Sequence, residues 1–445
     1  MHISCFAIVS LLAVLPSTAY GQSGSGAQRC REIRTRRSAH SLSASEWQRI
    51  RSVISQMHRQ GHFERFAKSH ETVFNDVHGT SAFFPFHRRF VLEFENLGRR
   101  IDPEFTVPYW DTTLDYRNPA TSPVLRSGTL GGNGQGPDSC LPNGIQGNWQ
   151  LGYPDRHCIR RRFNRGDSMS PWFSPEIISS YIQSDRSLDD FRKHIEFGIH
   201  GATHLGLGGD ASTKTAPNDF FFHMHHANID RLWWLWQNNQ ENMFDYNGPG
   251  RNGEATLGDA IPEDSQVNFG SQPVGSVMIL GYNGVCYAYD SAPSPPARFP
   301  GMQRSEEDAL GRGAGHGAEP MSPIPMISGS SNLANQGLEI ARIRKALGEE
   351  EGLKSYFPQV AALEPTRLET ALANNMGAAN ETRHCTCPMH QGPHSHRDHM
   401  IVYPERMSDA WIKMHGFDPA QVEKVHRDAC RLVDLLNNST YVSPY

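Results

Sequence analysis

Apolar residues recur at helical spacing from Trp47 onward, with Trp47, Ile50, Val53, Ile54 and Met57 on one face. Ser43-Ala-Ser-Glu46 ahead of them has the form of a capping box, and Gly61 ends the run. Order is therefore expected to begin at Ser43, with His58 and His62 as surface residues beside the stop. A second helix is predicted over Phe63–His70 and a third over Phe86–Leu97, where Phe90, Val91 and Phe94 are apolar and Pro85 suits a first turn. His87 then lies near the start of the third helix.

The periodicity lapses between residues 112 and 171, a stretch rich in Gly and Pro. A loop that long inside a compact unit calls for a staple, and Cys140 with Cys158 is the candidate. A fourth helix is predicted from Leu188 to about Leu205 and a fifth from Phe222 to Gln237. Val277–Leu280 and Val285–Tyr289 read as strands. Ser291-Ala-Pro-Ser-Pro-Pro-Ala297 is a linker, and 301–330 continues it in Gly, Pro and Ser. A polar helix within 331–357, a short one at 366–376 and a last helical region at 408–436, held by Cys430, complete the pattern.

Composition adds bounds. The chain has 445 residues, 20% of them charged, and a net charge of -5, which gives no electrostatic reason to expect nucleic acid or a membrane surface as partner. The apolar run Ile3–Leu15, followed by small residues to Gly21, reads as a secretory signal peptide and is too short to span a bilayer. The basic run Arg29–Arg37 reads as a solvated tail rather than a processing site at Arg36-Arg37. Once Cys5 departs with the signal, Cys30, Cys140, Cys158, Cys286, Cys385, Cys387 and Cys430 remain, an odd set for an oxidising compartment, and their connectivity is not legible. Asn380, Asn437 and Asn438 are glycosylation acceptors in that setting.

Histidine carries the chemistry. One block reads His78-Gly-Thr-Ser-Ala-Phe-Phe-Pro-Phe-His87-Arg88, and a second runs from His200-Gly-Ala-Thr-His204 to His225-His226 and Asp230-Arg231. His200 and His204 are four apart, so a helix stacks them on one face. The same spacing from His226 to Asp230 lets that carboxylate support the site or anchor Arg231. Imidazole-only sets suit copper, zinc, iron or nickel. A zinc-protease motif fails because Gly201 stands where Glu is needed, and a carboxylate-bridged di-iron bundle fails for want of its repeated Glu-x-x-His. A third group, His384, Cys385, Cys387, His390, His394, His396 and His399, reads either as a metal-binding or copper-loading segment or as a disulfide-stapled polar loop.

Taken together, these blocks resemble the type 3 copper family of tyrosinases, catechol oxidases and hemocyanins. The likeness covers about residues 43–290 and is carried by His78, Phe83, Phe86-His87-Arg88 and Glu95, by Asp219, Phe222, His226 and Asp230, by Pro108-Tyr-Trp-Asp111, by Ala227–Trp233, and by Gly281-Tyr282 with Tyr287-Ala-Tyr289. It departs at Phe220, where the family usually has Pro, and at His223, usually apolar. The resemblance implies a mainly α fold, an antiparallel four-helix bundle holding a dicopper centre, with long loops, a few short strands and a C-terminal extension. With the composition breaks noted above, the chain divides into a signal peptide (1–21), a flexible basic segment (22–42), a catalytic domain (43–290), a linker (291–330) and a Cys/His-containing extension (331–445).

The resemblance further implies three histidines per copper: His78 and His87 for the first, and His200, His204 and His226 for the second. The missing first-copper ligand should follow an aromatic-Arg-Phe pattern, which selects His70 with His62 as fallback. His225 and His223 are then a packed neighbour and a supporting group. No cysteine lies between Cys30 and Cys140 to form a thioether to His78, as in the animal and bacterial tyrosinase pattern. Glu196 corresponds to a glutamate that orients a water to deprotonate a phenol, its alternative being an ordinary helix salt bridge. Gly201, where strong monophenol hydroxylases often carry Asn, points to diphenol oxidation exceeding monophenol hydroxylation.

The implied activity is O2-dependent oxidation of phenols or catechols to o-quinones, with two copper ions as cofactor, small phenols or protein tyrosyl groups as substrates, and melanin formation or extracellular matrix cross-linking as outcome. The alternatives are a hemocyanin-like O2 carrier and a matrix protein with a vestigial copper site. In the family a C-terminal extension can cover the active site, and 301–445 is placed either to do so or to serve as a separate matrix-interaction segment.

Overall fold

A computed structural model describes residues 29–237, 242–290, 400–437 and Ser443. The expected signal peptide, the linker, the helices at 331–357 and 366–376, the glycosylation acceptors Asn380 and Asn438, and the His/Cys group 384–399 lie outside them.

The architecture is mainly helical: α1 (Ala44–Arg59), α2 (His62–Val77), α3 (Phe83–Arg99), α4 (Pro175–Ser184), α5 (Leu188–Ile195), α6 (Gly201–Leu207), α7 (Phe220–Gln237), and, at the far end, α8 (Asp409–His415) and α9 (Pro419–Asn437). The capping box at Ser43 and Glu46 forms as expected. Gly61 adopts φ 75°, a left-handed turn that ends α1 and starts α2, and glycine takes it without steric cost. α3 begins three residues earlier than its periodicity suggested. Pro85 sits third in it, where a missing N–H costs no helical bond.

Helices α2, α3, α6 and α7 form the antiparallel four-helix bundle, its interior filled by Phe66, Phe83, Phe86, Phe90, Phe94 and Phe222, all fully buried. The predicted fourth helix is not continuous. α5 passes through a π-helical turn (Glu196–His200), kinked at Gly198, into α6. Val277–Leu280 is no strand: Val274–Val277 forms a 3-10 turn whose end offers the carbonyls of Val277 and Met278 to Arg88.

Order also begins before Ser43. Arg34–Arg36 pairs in parallel with Tyr287–Tyr289, and Cys30 is bridged to Cys286. Arg36 is neither solvated nor open to a protease. Its buried guanidinium donates to Glu95 at 2.9 Å, lies 3.5 Å from Asp230, and stacks over Tyr287. Asp230 accepts from Arg88, Tyr287 and Tyr289, each at 2.5 Å, so it clamps α3 and α7 to the closing strand. It does not anchor Arg231, which pairs with Asp111 at 3.3 Å.

The long loop is pinned where the histidines need it. Cys140 and Cys158 are bridged as expected. Arg161 donates twice to Asp219, at 2.7 and 2.8 Å, and also to the carbonyls of Leu130 and Gly131. Asp219 in turn accepts from the N–H of Phe221, fixing the start of α7.

Candidate metal centre

Two histidine triads are buried side by side in the bundle. His70, on α2, meets His78 at its end and His87 on α3; His200, closing the π-helical turn, meets His204 on α6 and His226 on α7. Within each triad the candidate ligand atoms lie within 4.8 Å of one another. The triads touch: the rings of His87 and His226 stack at 3.8 Å, and His78 and His200 are 6.0 Å apart. The structure thus brings together all six histidines singled out in the sequence. His62 is elsewhere, hydrogen-bonded near Gln60 and Arg65 at the start of α2.

Backbone carbonyls orient five of the six rings. His78, His87 and His200 donate from Nδ1 to the carbonyl four residues earlier, those of Phe74, Phe83 and Glu196, at 3.0, 2.8 and 3.3 Å. His70 donates to Lys214 at 2.6 Å and His204 to Ala211 at 2.5 Å. Each bond fixes a tautomer whose lone pair is on Nε2. Burial pushes all six rings down, His70 to about 3 and His204 to about 4, with neighbouring imidazoles adding to the effect at His78, His87, His200 and His226. They are neutral at pH 7, the state that binds metal.

Nε2 of His70, His87 and His226 is buried with no hydrogen-bond partner. Leaving a buried acceptor unpaired is costly, and three such atoms that converge within the two triads fit a pair of metal ions. His225 stacks between Phe221, at 5.2 Å, and His200, at 5.6 Å, while His223 stacks on Phe94 at 3.6 Å, outside both triads.

Glu196 is fully buried at the edge of the site. It accepts from the N–H of Gly79, beside His78, at 2.9 Å and from Arg192 at 2.6 Å. Burial outweighs these stabilising donors and pushes its carboxyl up to about 7. The helix salt bridge therefore exists, and it ties the π-helical turn to the loop that carries His78.

α8 and α9 close the site from outside. Trp411 packs 5.5 Å from His204, and His415 packs 5.1 Å from His78 and 4.7 Å from Phe74. Phe417 packs on Phe197, and a Cβ built at Gly201 would fall 2.1 Å from the end of Met407. Tyr403 bonded to Asp434, and Ile401 bonded to Asn437, hold the hairpin together. His415 was missed in the sequence because a lone histidine on a polar helix carries no spacing signal.

The sequence profile described as the common central domain of tyrosinase matches residues 53–239. Tyrosinase ustQ of Aspergillus flavus is 31% identical over 317 residues, 63% of this chain and 87% of that protein. A tyrosinase of Streptomyces antibioticus is 30% identical over 227 residues, 45% and 82% respectively. Among solved structures, a mutant polyphenol oxidase from Thermothelomyces thermophila aligns with a TM-score of 0.48 and 21% identity over 59% of this chain and 90% of that one. With two histidine triads that fit a binuclear copper centre, the chain belongs to the tyrosinase family of type 3 copper oxidoreductases.

Proposed function

We propose that the protein oxidises catechols to o-quinones with O2 as co-substrate, hydroxylating monophenols more slowly, and that it does so outside the cell in melanin formation or matrix cross-linking. The observation that supports this most is the pair of neutral, carbonyl-oriented triads with orphaned Nε2 atoms. The copper pair, when bound, supplies the electron exchange with O2. The chain does the rest. His70, His78 and His87 would hold one ion, and His200, His204 and His226 the other, at a spacing set by helices that the Arg36–Glu95 and Arg88–Asp230 pairs lock together. The apolar walls of Phe83 and Phe222 exclude water and favour a flat ring. Glu196, a turn before His200, would take the phenol proton through a water at its carboxylate oxygens.

Extracellular placement is supported by the apolar Ile3–Leu15 run and by the Cys30–Cys286 and Cys140–Cys158 bridges, which persist in oxidising compartments. Among the described residues, no helix is long and apolar enough to cross a membrane. One observation favours a second reading, O2 carriage: α8 lies against the histidines, a cover that O2 passes more easily than a phenol does.

The test is a catechol assay on copper-loaded protein, intact and after proteolysis between residues 290 and 400. Quinone formation that rises on cleavage supports the oxidase; reversible O2 uptake without quinone in either form supports the carrier and overturns the oxidase.

A further inference from the structure

The C-terminal hairpin brings a seventh imidazole to the two triads. His415 closes α8, is 5% exposed, and has its ring 5.1 Å from His78 and 6.4 Å from His200. Within the first triad the ring separations are 5.1 Å for His70–His78, 5.3 Å for His78–His87 and 5.7 Å for His70–His87. His415 thus stands no farther from His78 than the triad members stand from one another.

Its hydrogen bonding repeats theirs. His415 donates from Nδ1 to the carbonyl of Trp411, four residues earlier, at 3.0 Å. This is the bond that orients His78, His87 and His200, and it leaves the lone pair on Nε2. The rest of its setting is aromatic, with Phe74 at 4.7 Å, Phe417 at 4.8 Å and Trp411 at 4.1 Å. A phenyl ring would fill such a seat without the cost of desolvating a nitrogen. An imidazole oriented like a ligand, placed where a plain hydrophobe suffices for covering, points to a bond that the hydrophobe cannot make.

We propose that His415 is a metal ligand carried on the hairpin: with α8 seated, it joins the copper beside His78, and departure of the hairpin opens that position to a small molecule. This rests on the copper reading of the triads. A cover that only blocks and a cover that ligates leave different signatures on the metal.

Cobalt(II), whose visible bands report coordination number, is the probe. The full-length chain is loaded with cobalt and compared with His415→Phe, which keeps the bulk, and His415→Ala, which removes it. Two cobalt ions per chain are expected in all three, with the visible bands of both variants shifted and strengthened relative to the parent. Millimolar imidazole is expected to return His415→Ala to the parent spectrum. Identical spectra in parent and variants, or no recovery with imidazole, would overturn the role of His415 alone. Fewer than two cobalt ions in the parent would overturn the dinuclear centre itself, and the proposal with it. Should His415→Phe fail to fold, the imidazole response of His415→Ala decides.

Discussion

At the scale of single residues, the six histidines were legible because five of them stand in motifs with fixed spacing and the sixth follows an aromatic pattern. What could not be read was how each imidazole is oriented. The carbonyl partners of His70 and His204, Lys214 and Ala211, come from distant or irregular backbone. Arg36 was misread for a related reason: its partner Glu95 lies 59 residues away, so a basic run looked solvated. Glu196→Gln should lower monophenol hydroxylation on the order of 10²-fold while catechol oxidation falls less. Equal loss of both rates would assign Glu196 a purely structural role. Arg36→Met leaves two buried carboxylates short of a partner and should cost about 3–5 kcal/mol, read in denaturant melts. A midpoint unchanged within error would show that the buried network contributes little.

Among helices and loops, regular segments followed the hydrophobic period and irregular ones did not. The period along 188–207 is continuous, so nothing in it marks the π-helical turn that rotates His200 toward His204 and His226. α4 went unassigned because the Pro- and Ser-rich approach to Pro175 looks like loop, although Ser174 caps it. The hairpin of α8 and α9 was foreseen as helical, yet its seat against the triads depends on long-range packing by Met407, Trp411 and Phe417. Gly201 lies under that seat. Gly201→Asn would put a side chain into the space of Met407 and Trp411, with the nearest atoms 2.1 and 3.2 Å from its Cβ. The variant should loosen the hairpin and raise the ratio of monophenol to catechol turnover. Unchanged protection of 400–437 from protease, with an unchanged ratio, would count against both expectations.

For the molecule as a whole, pH acts through the buried rings. His70, His204 and His415 are held neutral by burial, at about 3, 4 and 3 against 6.5 when unfolded. The unfolded chain therefore takes up protons first as pH falls, and the folded metal-free protein loses stability from about pH 6.5 down toward those values. Each such ring contributes roughly 1.4 kcal/mol per pH unit. Melting temperature of the metal-free protein should fall steeply between pH 6.5 and 4.5; a flat profile would mean that the rings are already hydrated and able to charge.

The Cys30–Cys286 bridge joins positions 256 residues apart, one on each side of the whole helical bundle. The catalytic unit is thereby a closed covalent ring with two tails, not a line. A protease cut inside residues 31–285 opens the circle but frees no fragment until a reductant is added, whereas a cut beyond residue 290 can release the tail that carries the hairpin. Proteolysis thus has one productive direction: trimming beyond residue 290 uncovers the bundle, and a nick within it leaves its halves tethered.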